Sequence, residues 1–184
     1  VNYKEIISSI TNKDLQPVYF LMGDEPYYID KLADNFAKNI LSSEEQEFNQ
    51  VILYGKEIET AQAISEAKQF PFGSNKRVVI IKEAQHLKDI DVLDTYLDNV
   101  QPSTILVICY KGKSVDKRKK FGKTLAKKCV VFESKKLYDN KIPSWINSYV
   151  IEKGYKIDNN ATAVLSEYIG ADLSKITNEL EKLM

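Results

Sequence analysis

The sequence predicts an α/β fold in which a mostly parallel sheet carries helices on both faces, followed by a small all-helical domain. Two observations predict it. Up to Phe132, apolar runs of strand length alternate with amphipathic runs of helical length, and this alternation is typical of a parallel sheet. After Phe132 only helical patterns follow, so we expect the architecture to change there.

The five predicted strands are short runs that are rich in β-branched and aromatic residues. The first ends at Gly23, and the third places four aliphatic residues between Arg77 and Lys82. Runs that are apolar throughout, without alternation, indicate strands buried on both faces. The predicted strands span residues 17–22, 48–54, 77–82, 104–110 and 130–132.

Five predicted helices accompany these strands. In the second, Pro26 suits the first turn because its missing N–H needs no partner there. The same run places Tyr28, Leu32, Phe36 and Ile40 on one face, which we expect to pack on the sheet. The predicted helices of this part span residues 1–12, 26–41, 58–69, 89–100 and 116–128.

Three more helices are predicted beyond the sheet, at residues 143–153, 160–169 and 173–184. Gly170 ends the second of these, and Asp172 offers an N-cap for the third. We therefore predict an α/β domain at residues 1–138 and a small helical, lid-like domain at residues 139–184. The last helix has no terminating signal and the chain opens on valine, so we expect both ends to continue in a longer protein.

Composition argues against several classes of protein. The chain has 26 basic and 26 acidic residues, so bulk charge favours neither nucleic acid nor a membrane. Cys109 and Cys129 lie in apolar runs, which predicts buried residues in strands and neither a disulfide nor a metal site. His86 is the single histidine. Without a run of membrane-spanning length or a signal peptide, the sequence predicts a cytoplasmic protein.

The end of the first strand lacks the chemistry of a phosphate-binding loop. Such a loop needs G-x-x-x-x-G-K-[ST], because glycines let backbone amides surround the phosphates while the lysine neutralises them. After Gly23 the chain has Asp24 and Glu25, whose charges would repel phosphate, and then Pro26, which has no amide hydrogen.

Two later segments, residues 112–114 and 122–124, match only the last three positions of that motif. After the third strand, Lys82 stands where a magnesium-binding aspartate would be needed. Glu83 and His86 form an acid–base pair by spacing alone, which is more often a surface contact. We therefore predict no catalytic residue, no cofactor, no metal ion and no enzymatic activity.

A predicted turn before the third strand carries two phenylalanines. Pro71 favours an extended conformation at Phe70, and Gly73 permits a sharp reversal after Phe72. A loop tip cannot bury such side chains without also burying backbone polar groups. Two interpretations follow: the rings are anchors for another protein, or they cap the edge of the sheet as ordinary core residues.

Residues 111–128 are dense in lysine. Lys117, Arg118, Lys119 and Lys120 are the candidates for contacts with DNA phosphates, each of which would add salt dependence to binding. The alternative is a solvated helix face that meets an acidic surface or nothing.

Several segments together resemble the delta subunit of the bacterial DNA polymerase III clamp loader. They are residues 17–27, 70–72, 77–82 and 116–120. The strongest match is at residues 170–183, where the family carries G-x-D-L-x-x-h-x-N-E-L-x-K-L and this chain has Gly-Ala-Asp-Leu-Ser-Lys-Ile-Thr-Asn-Glu-Leu-Glu-Lys-Leu. The segments occur in family order and run through essentially the whole chain.

The resemblance implies an AAA+-like, RecA-type α/β domain without ATPase activity, a helical second domain, and a third, collar-forming domain that this chain lacks. It also implies a non-hydrolysing subunit of the DNA polymerase III holoenzyme that binds the sliding clamp and opens the ring for loading onto primed DNA. Its partners would be the beta clamp, the gamma/tau and delta prime subunits and, in the assembled complex, primed DNA.

Carried over to this sequence, the resemblance makes Phe72 the main clamp-binding anchor, flanked by Pro71 and Gly73, with Phe70 as the candidate second anchor. The family often has two bulky apolar residues side by side at this point, and this chain does not. Two alternatives from other classes remain. They are a degenerate P-loop enzyme, which detectable ATP binding would favour, and a DNA-binding module, which the balanced charge disfavours.

Overall fold

The computed structural model describes residues 1–184, and the chain divides into two compact units. The first unit is Val1–Lys135 and the second is Lys136–Met184. The division lies slightly before the boundary predicted between residues 138 and 139.

The first unit is built on a five-stranded sheet in which every pairing is parallel. The strand order is β2-β3-β4-β1-β5, so β1 lies between β4 and β5 and the chain crosses over between non-neighbouring strands. This confirms the predicted parallel sheet. The strands are β1 (Val18–Gly23), β2 (Gln50–Tyr54), β3 (Arg77–Lys82), β4 (Thr104–Lys111) and β5 (Val130–Ser134).

Helix α1 precedes β1, and five further helices and two 3₁₀ turns connect the strands. The apolar sides of the longer helices face the sheet, as the sequence pattern requires. The helices are α1 (Tyr3–Asn12), α2 (Pro26–Asn39), α3 (Ser43–Asn49), α4 (Thr60–Lys68), α5 (Asp94–Leu97) and α6 (Lys120–Lys128), and the 3₁₀ turns are Ala84–His86 and Ile90–Leu93.

Each face of the sheet has its own core. On one face, Phe20 and Leu106 pack with Ala63 of α4, Tyr96 of α5 and Leu125 of α6. On the other face, α1 and α2 cover the alternate residues of the same strands, including Leu21 and Ile80. Because both faces are covered, β1 is buried along its whole length and β3 is buried from Arg77 to Ile81, and the prediction of helices on both faces is confirmed.

The sequence pattern missed helix α3. The predicted strand at residues 48–54 begins at Gln50, and Phe48 lies in the last turn of α3. The helix is short and polar apart from Phe48, so it has no amphipathic period. Its N-terminus is nevertheless marked by a capping box, in which Ser42 and Glu45 each accept a hydrogen bond from the other's backbone N–H.

Two other predicted helices are shorter than expected. The run at residues 89–100 consists of the second 3₁₀ turn followed by α5. The basic helix begins at Lys120, because residues 116–119 form a turn in which the Asp116 carboxylate accepts a hydrogen bond from the Arg118 N–H (2.9 Å).

The two cysteines are free thiols in different surroundings. Cys109 is buried in β4, where desolvation raises its pKa to about 12. The sequence predicts Cys129 in a strand, but this residue lies half-buried between α6 and β5. Its pKa is also raised to about 12, mainly by desolvation.

The second unit contains a 3₁₀ turn, Asp139–Lys141, and the helices α7 (Ile142–Glu152), α8 (Asn159–Ile169) and α9 (Leu173–Leu183). Gly170 has a φ of 71° where α8 ends, and the Asp172 side chain accepts a hydrogen bond from the Lys175 N–H (3.0 Å) as the N-cap of α9. None of the chain's helices combines the length and the apolar character needed to span a membrane.

Candidate functional site

The phosphate-loop position holds a carboxylate of the protein itself. Glu25 is buried, and its Oε1 accepts a hydrogen bond from the Tyr27 N–H (3.1 Å) at the N-terminus of α2. Pro26 is the first residue of that helix and has no amide hydrogen to donate. A helix N-terminus attracts anions, and here Glu25 supplies the anion.

The two glycines of the partial motifs have structural roles. The Gly112 N–H donates to the Gly23 carbonyl (2.9 Å), which ties the end of β4 to the end of β1. A Cβ on Gly122 would lie 2.3 Å from the Asp116 carbonyl oxygen, so α6 needs glycine at this close approach.

Lysine–aspartate pairs link α2 to the ends of β3 and β4. Lys111 Nζ lies 2.7 Å from Asp30 Oδ1, and Lys82 Nζ lies 3.7 Å from Asp34 Oδ1. At the end of β3, Glu83 pairs with Lys56 at 3.4 Å. These charges are balanced within the chain, and there is no group of three or more potential metal ligands.

The predicted aromatic tip is exposed. The structure leaves 78% of Phe70 and 74% of Phe72 accessible, so neither ring caps the sheet as a core residue. Pro71 between them is half-buried, and Gly73 has a φ of 62°, a left-handed conformation that favours glycine. The tip therefore presents two large apolar side chains to solvent.

The backbone of the tip is fastened to the first unit by a buried asparagine. Asn49 is only 1% exposed. Its Oδ1 accepts a hydrogen bond from the Phe72 N–H (2.6 Å), and its Nδ2 donates to the Phe72 carbonyl (2.9 Å). Both backbone groups of Phe72 are satisfied by one side chain, so the ring can point outward while the backbone is held.

Helix α3 supplies two further contacts to the tip. The Phe48 ring lies 5.9 Å from the Phe72 ring, centroid to centroid, and Phe48 is itself 59% exposed. The Ser74 hydroxyl donates to Glu45 Oε1 (2.7 Å). Hydrogen bonds from the Ser42 N–H and the Ser74 hydroxyl lower the pKa of Glu45, because they favour its charged form.

Arg77 links the segments that lie next to the tip. This buried residue is the first of β3, and its guanidinium forms an ion pair with Glu66 of α4 (2.7 Å). It also donates to the Phe48 carbonyl (3.3 Å) and to the Glu66 carbonyl (3.4 Å). One side chain thus links α3, α4 and β3 next to the tip.

The sequence pattern predicts the residues of the tip but not those that hold its backbone. The sequence pattern places Phe48 in a strand and gives Asn49 no role. The capping box at Ser42 and Glu45 could have revealed α3 and so placed Phe48 on a helix. No local signal marks the contact between Asn49 and Phe72, because it depends on the pairing of β2 with β3.

The four candidate DNA-contacting residues are exposed, and three of them pair with acidic residues of the chain. Lys117 Nζ lies 2.5 Å from Glu133 Oε2, and Lys120 Nζ lies 3.9 Å from Asp94 Oδ2. The Arg118 guanidinium donates to both carboxylate oxygens of Asp116 at 3.1 Å, which lowers the pKa of that carboxyl. Lys119 precedes α6 as its N-cap. Contact of these residues with DNA stays a prediction.

The strand order and the helical second unit define an AAA+-like fold, which was the predicted class. A structure of a Thermotoga maritima RuvB variant is similar, with a TM-score of 0.54 at 14% identity. The match covers 90% of this chain and 55% of that one, and at this identity it supports the fold alone.

Within this fold class, the chain can be assigned to a particular family. The model of the family described as DNA polymerase III, delta subunit, matches residues 19–135, and this chain belongs to that family. This confirms the resemblance seen in the sequence.

Two relatives from Bacillus subtilis agree with this assignment. The DNA polymerase III subunit delta of strain 168 is 25% identical over 189 residues, covering 97% of this chain and 54% of that protein. The solved structure of the B. subtilis DNA clamp loader delta protein superposes with a TM-score of 0.77 at 25% identity, covering 99% of this chain and 57% of that one. The chain therefore spans about half the length of these relatives.

Proposed function

We propose that this chain is the part of a clamp-loader delta subunit that binds the sliding clamp through the tip at residues 70–73 and helps to open the ring. The observation that carries the proposal is the exposure of Phe70 and Phe72 on a backbone fastened by buried Asn49. An apolar side chain held out on a rigid backbone suits insertion into an apolar pocket of a partner, because little conformational freedom is lost on binding.

The two rings do not account for tight binding alone. Burying one phenylalanine contributes about 1.5–3 kcal/mol, which is the scale of a single interface hot spot. A wider contact surface around the tip is therefore part of the proposal. In the assembled loader, we propose that the gamma/tau and delta prime subunits shift the population of states in which the tip is accessible, and that the open clamp is delivered to primed DNA.

The test is a calorimetric titration of this chain with the sliding clamp of the same organism at moderate salt. We expect saturable binding with a negative heat-capacity change, because apolar surface is buried. Absence of binding at concentrations up to about 0.1 mM would contradict the proposal.

We propose that this chain itself neither binds nor hydrolyses a nucleotide. This part of the proposal is supported by the Glu25 carboxylate and by Pro26 at the N-terminus of α2, where a phosphate would otherwise bind. The carboxylates of Asp30 and Asp34, which lie on α2 next to the ends of β4 and β3, are already paired with Lys111 and Lys82, and this disfavours their use as magnesium ligands.

Adding magnesium and ATP should therefore leave the melting temperature of the chain unchanged. A ligand present at about a hundred times its dissociation constant would stabilise the native state by about 2.7 kcal/mol, which thermal unfolding detects readily. Differential scanning fluorimetry, with a P-loop ATPase as positive control, makes the measurement. A rise of several degrees would favour the alternative of a degenerate nucleotide-binding enzyme.

A further inference from the structure

Phe48 and Phe72 come from separate segments but form one exposed aromatic pair. Phe48 lies at the end of α3, and Phe72 lies at the tip. Their ring planes are tilted by 54° with 5.9 Å between centroids, a geometry typical of attractive aromatic contacts. Both residues keep more than half of their surface accessible, so the contact between the rings does not remove either from solvent.

The backbone around the pair is held by hydrogen bonds to buried polar side chains. Asn49 follows Phe48 directly and is buried, and its amide oxygen and nitrogen both bond to the Phe72 backbone. Without these bonds, the buried amide oxygen and nitrogen of Asn49 would have no hydrogen-bond partner, and the Phe72 N–H and carbonyl would lose theirs. The Phe48 carbonyl in turn accepts from Arg77, so both phenylalanines have their backbones fixed by buried polar side chains.

We propose that the clamp-binding surface includes Phe48 as well as Phe72, and that Asn49 is the positioning residue that holds Phe72 in the binding geometry. This rests on the proposed function of the tip. The occupant is the same apolar pocket of the sliding clamp, because the Phe48 ring continues the apolar surface of the Phe72 ring. The sequence lacks a bulky apolar neighbour directly beside Phe72 on the tip itself, and Phe48 supplies that neighbour from α3.

Phe48→Ala tests the first half of the proposal. We expect the dissociation constant for the clamp to rise about three- to tenfold, because the Phe48 ring is less exposed than Phe72 and has less apolar surface left to bury. Thermal unfolding should be nearly unchanged. Tyr168→Ala, which removes an exposed aromatic side chain from α8, is the matched control and should bind as the unmodified chain does. Unchanged affinity in Phe48→Ala would exclude it from the surface.

Asn49→Ala tests the second half. We expect affinity to fall by about tenfold, because the ring must then be ordered on binding. The melting temperature should also drop by several degrees, so affinity alone does not separate positioning from general destabilisation. A double-mutant cycle does so. Asn49→Ala should have little further effect on clamp affinity when Phe72 is already alanine, whereas equal decreases in both backgrounds would overturn the positioning role.

Amide hydrogen exchange gives a readout that needs no clamp. The Phe72 N–H should be protected in the unmodified chain and should exchange at the rate of an open loop in Asn49→Ala. Equal exchange rates in the two proteins would overturn the fastening of the tip.

The failures of this proposal and of the proposed function are distinguishable. If the chain does not bind the clamp at all, both fall. If it binds and Phe72→Ala weakens binding while Phe48→Ala and Asn49→Ala do not, only this extension is wrong. Self-association of the chain that Phe48→Ala abolishes would identify a second copy as the occupant and would also overturn it.

Discussion

Replacing Phe72 with alanine is expected to weaken binding of the chain to the sliding clamp by about ten- to a hundredfold, which corresponds to about 1.5–3 kcal/mol. The ring is 74% exposed in the free chain, so its apolar surface is available for burial in a partner. Alanine keeps the backbone hydrogen bonds to Asn49, because those involve the N–H and carbonyl of residue 72. The weaker binding would therefore report the side chain and not the position of the tip.

The stability of the fold should be nearly unaffected by this change. Removing an exposed side chain usually alters the free energy of unfolding by less than about 0.5 kcal/mol, and the main interaction that the substitution removes is the ring contact with Phe48. Calorimetric titration and thermal unfolding of the same preparation separate the two effects. Tyr168→Ala again serves as the control, since it removes an aromatic side chain of similar exposure from the second unit.

The salt dependence sharpens the test. An apolar contact is little affected by ionic strength. The ratio of the dissociation constant of Phe72→Ala to that of the unmodified chain should therefore stay nearly constant as the salt concentration is raised. If the ratio shrank steeply with salt, charged groups would dominate the contact. If Phe72→Ala bound the clamp as tightly as the unmodified chain, the anchor role would be excluded.

The sheet could be predicted from the sequence because each strand is recognisable from its own apolar residues. Strands covered on both faces must be apolar throughout, and runs such as Val78 to Ile81 show this without reference to distant residues. Helix α2 was visible for a similar reason, with Pro26 at its start and Phe36 on its buried face. Helix α3 could not be found in this way because it buries only its end residue, Asn49.

The candidate site could be predicted only in part, for a reason of topology. The tip is a local feature, because the proline and glycine of Phe-Pro-Phe-Gly restrict the backbone conformation of this segment by themselves. Its fastening is not local, because Asn49 reaches Phe72 only once β2 and β3 have paired. The basic segment shows the same limitation, as the partners of Lys117 and Lys120 come from β5 and α5.

Replacing Gly23 with alanine is expected to destabilise the first unit strongly. Gly23 has a φ of 124°, which residues with a Cβ rarely adopt, and an added Cβ would lie 2.0 Å from the Ser134 carbonyl oxygen. That oxygen also accepts a hydrogen bond from the Asp24 N–H (3.0 Å), so it cannot move without breaking that bond. The end of β1 and the end of β5 would have to separate.

The matched control is Gly112→Ala. Gly112 also has a positive φ, 74°, but an added Cβ there would meet nothing within 4 Å. It should therefore cost only the backbone strain of a left-handed residue, about 1–2 kcal/mol. Gly23→Ala should cost more than about 3 kcal/mol, since overpacking against a fixed backbone adds to that strain. Urea unfolding measures both through the shift of the midpoint. Equal shifts in the two variants would mean that backbone strain alone accounts for the destabilisation by Gly23→Ala. The close approach of Gly23 to the Ser134 carbonyl would then contribute nothing to the loss of stability.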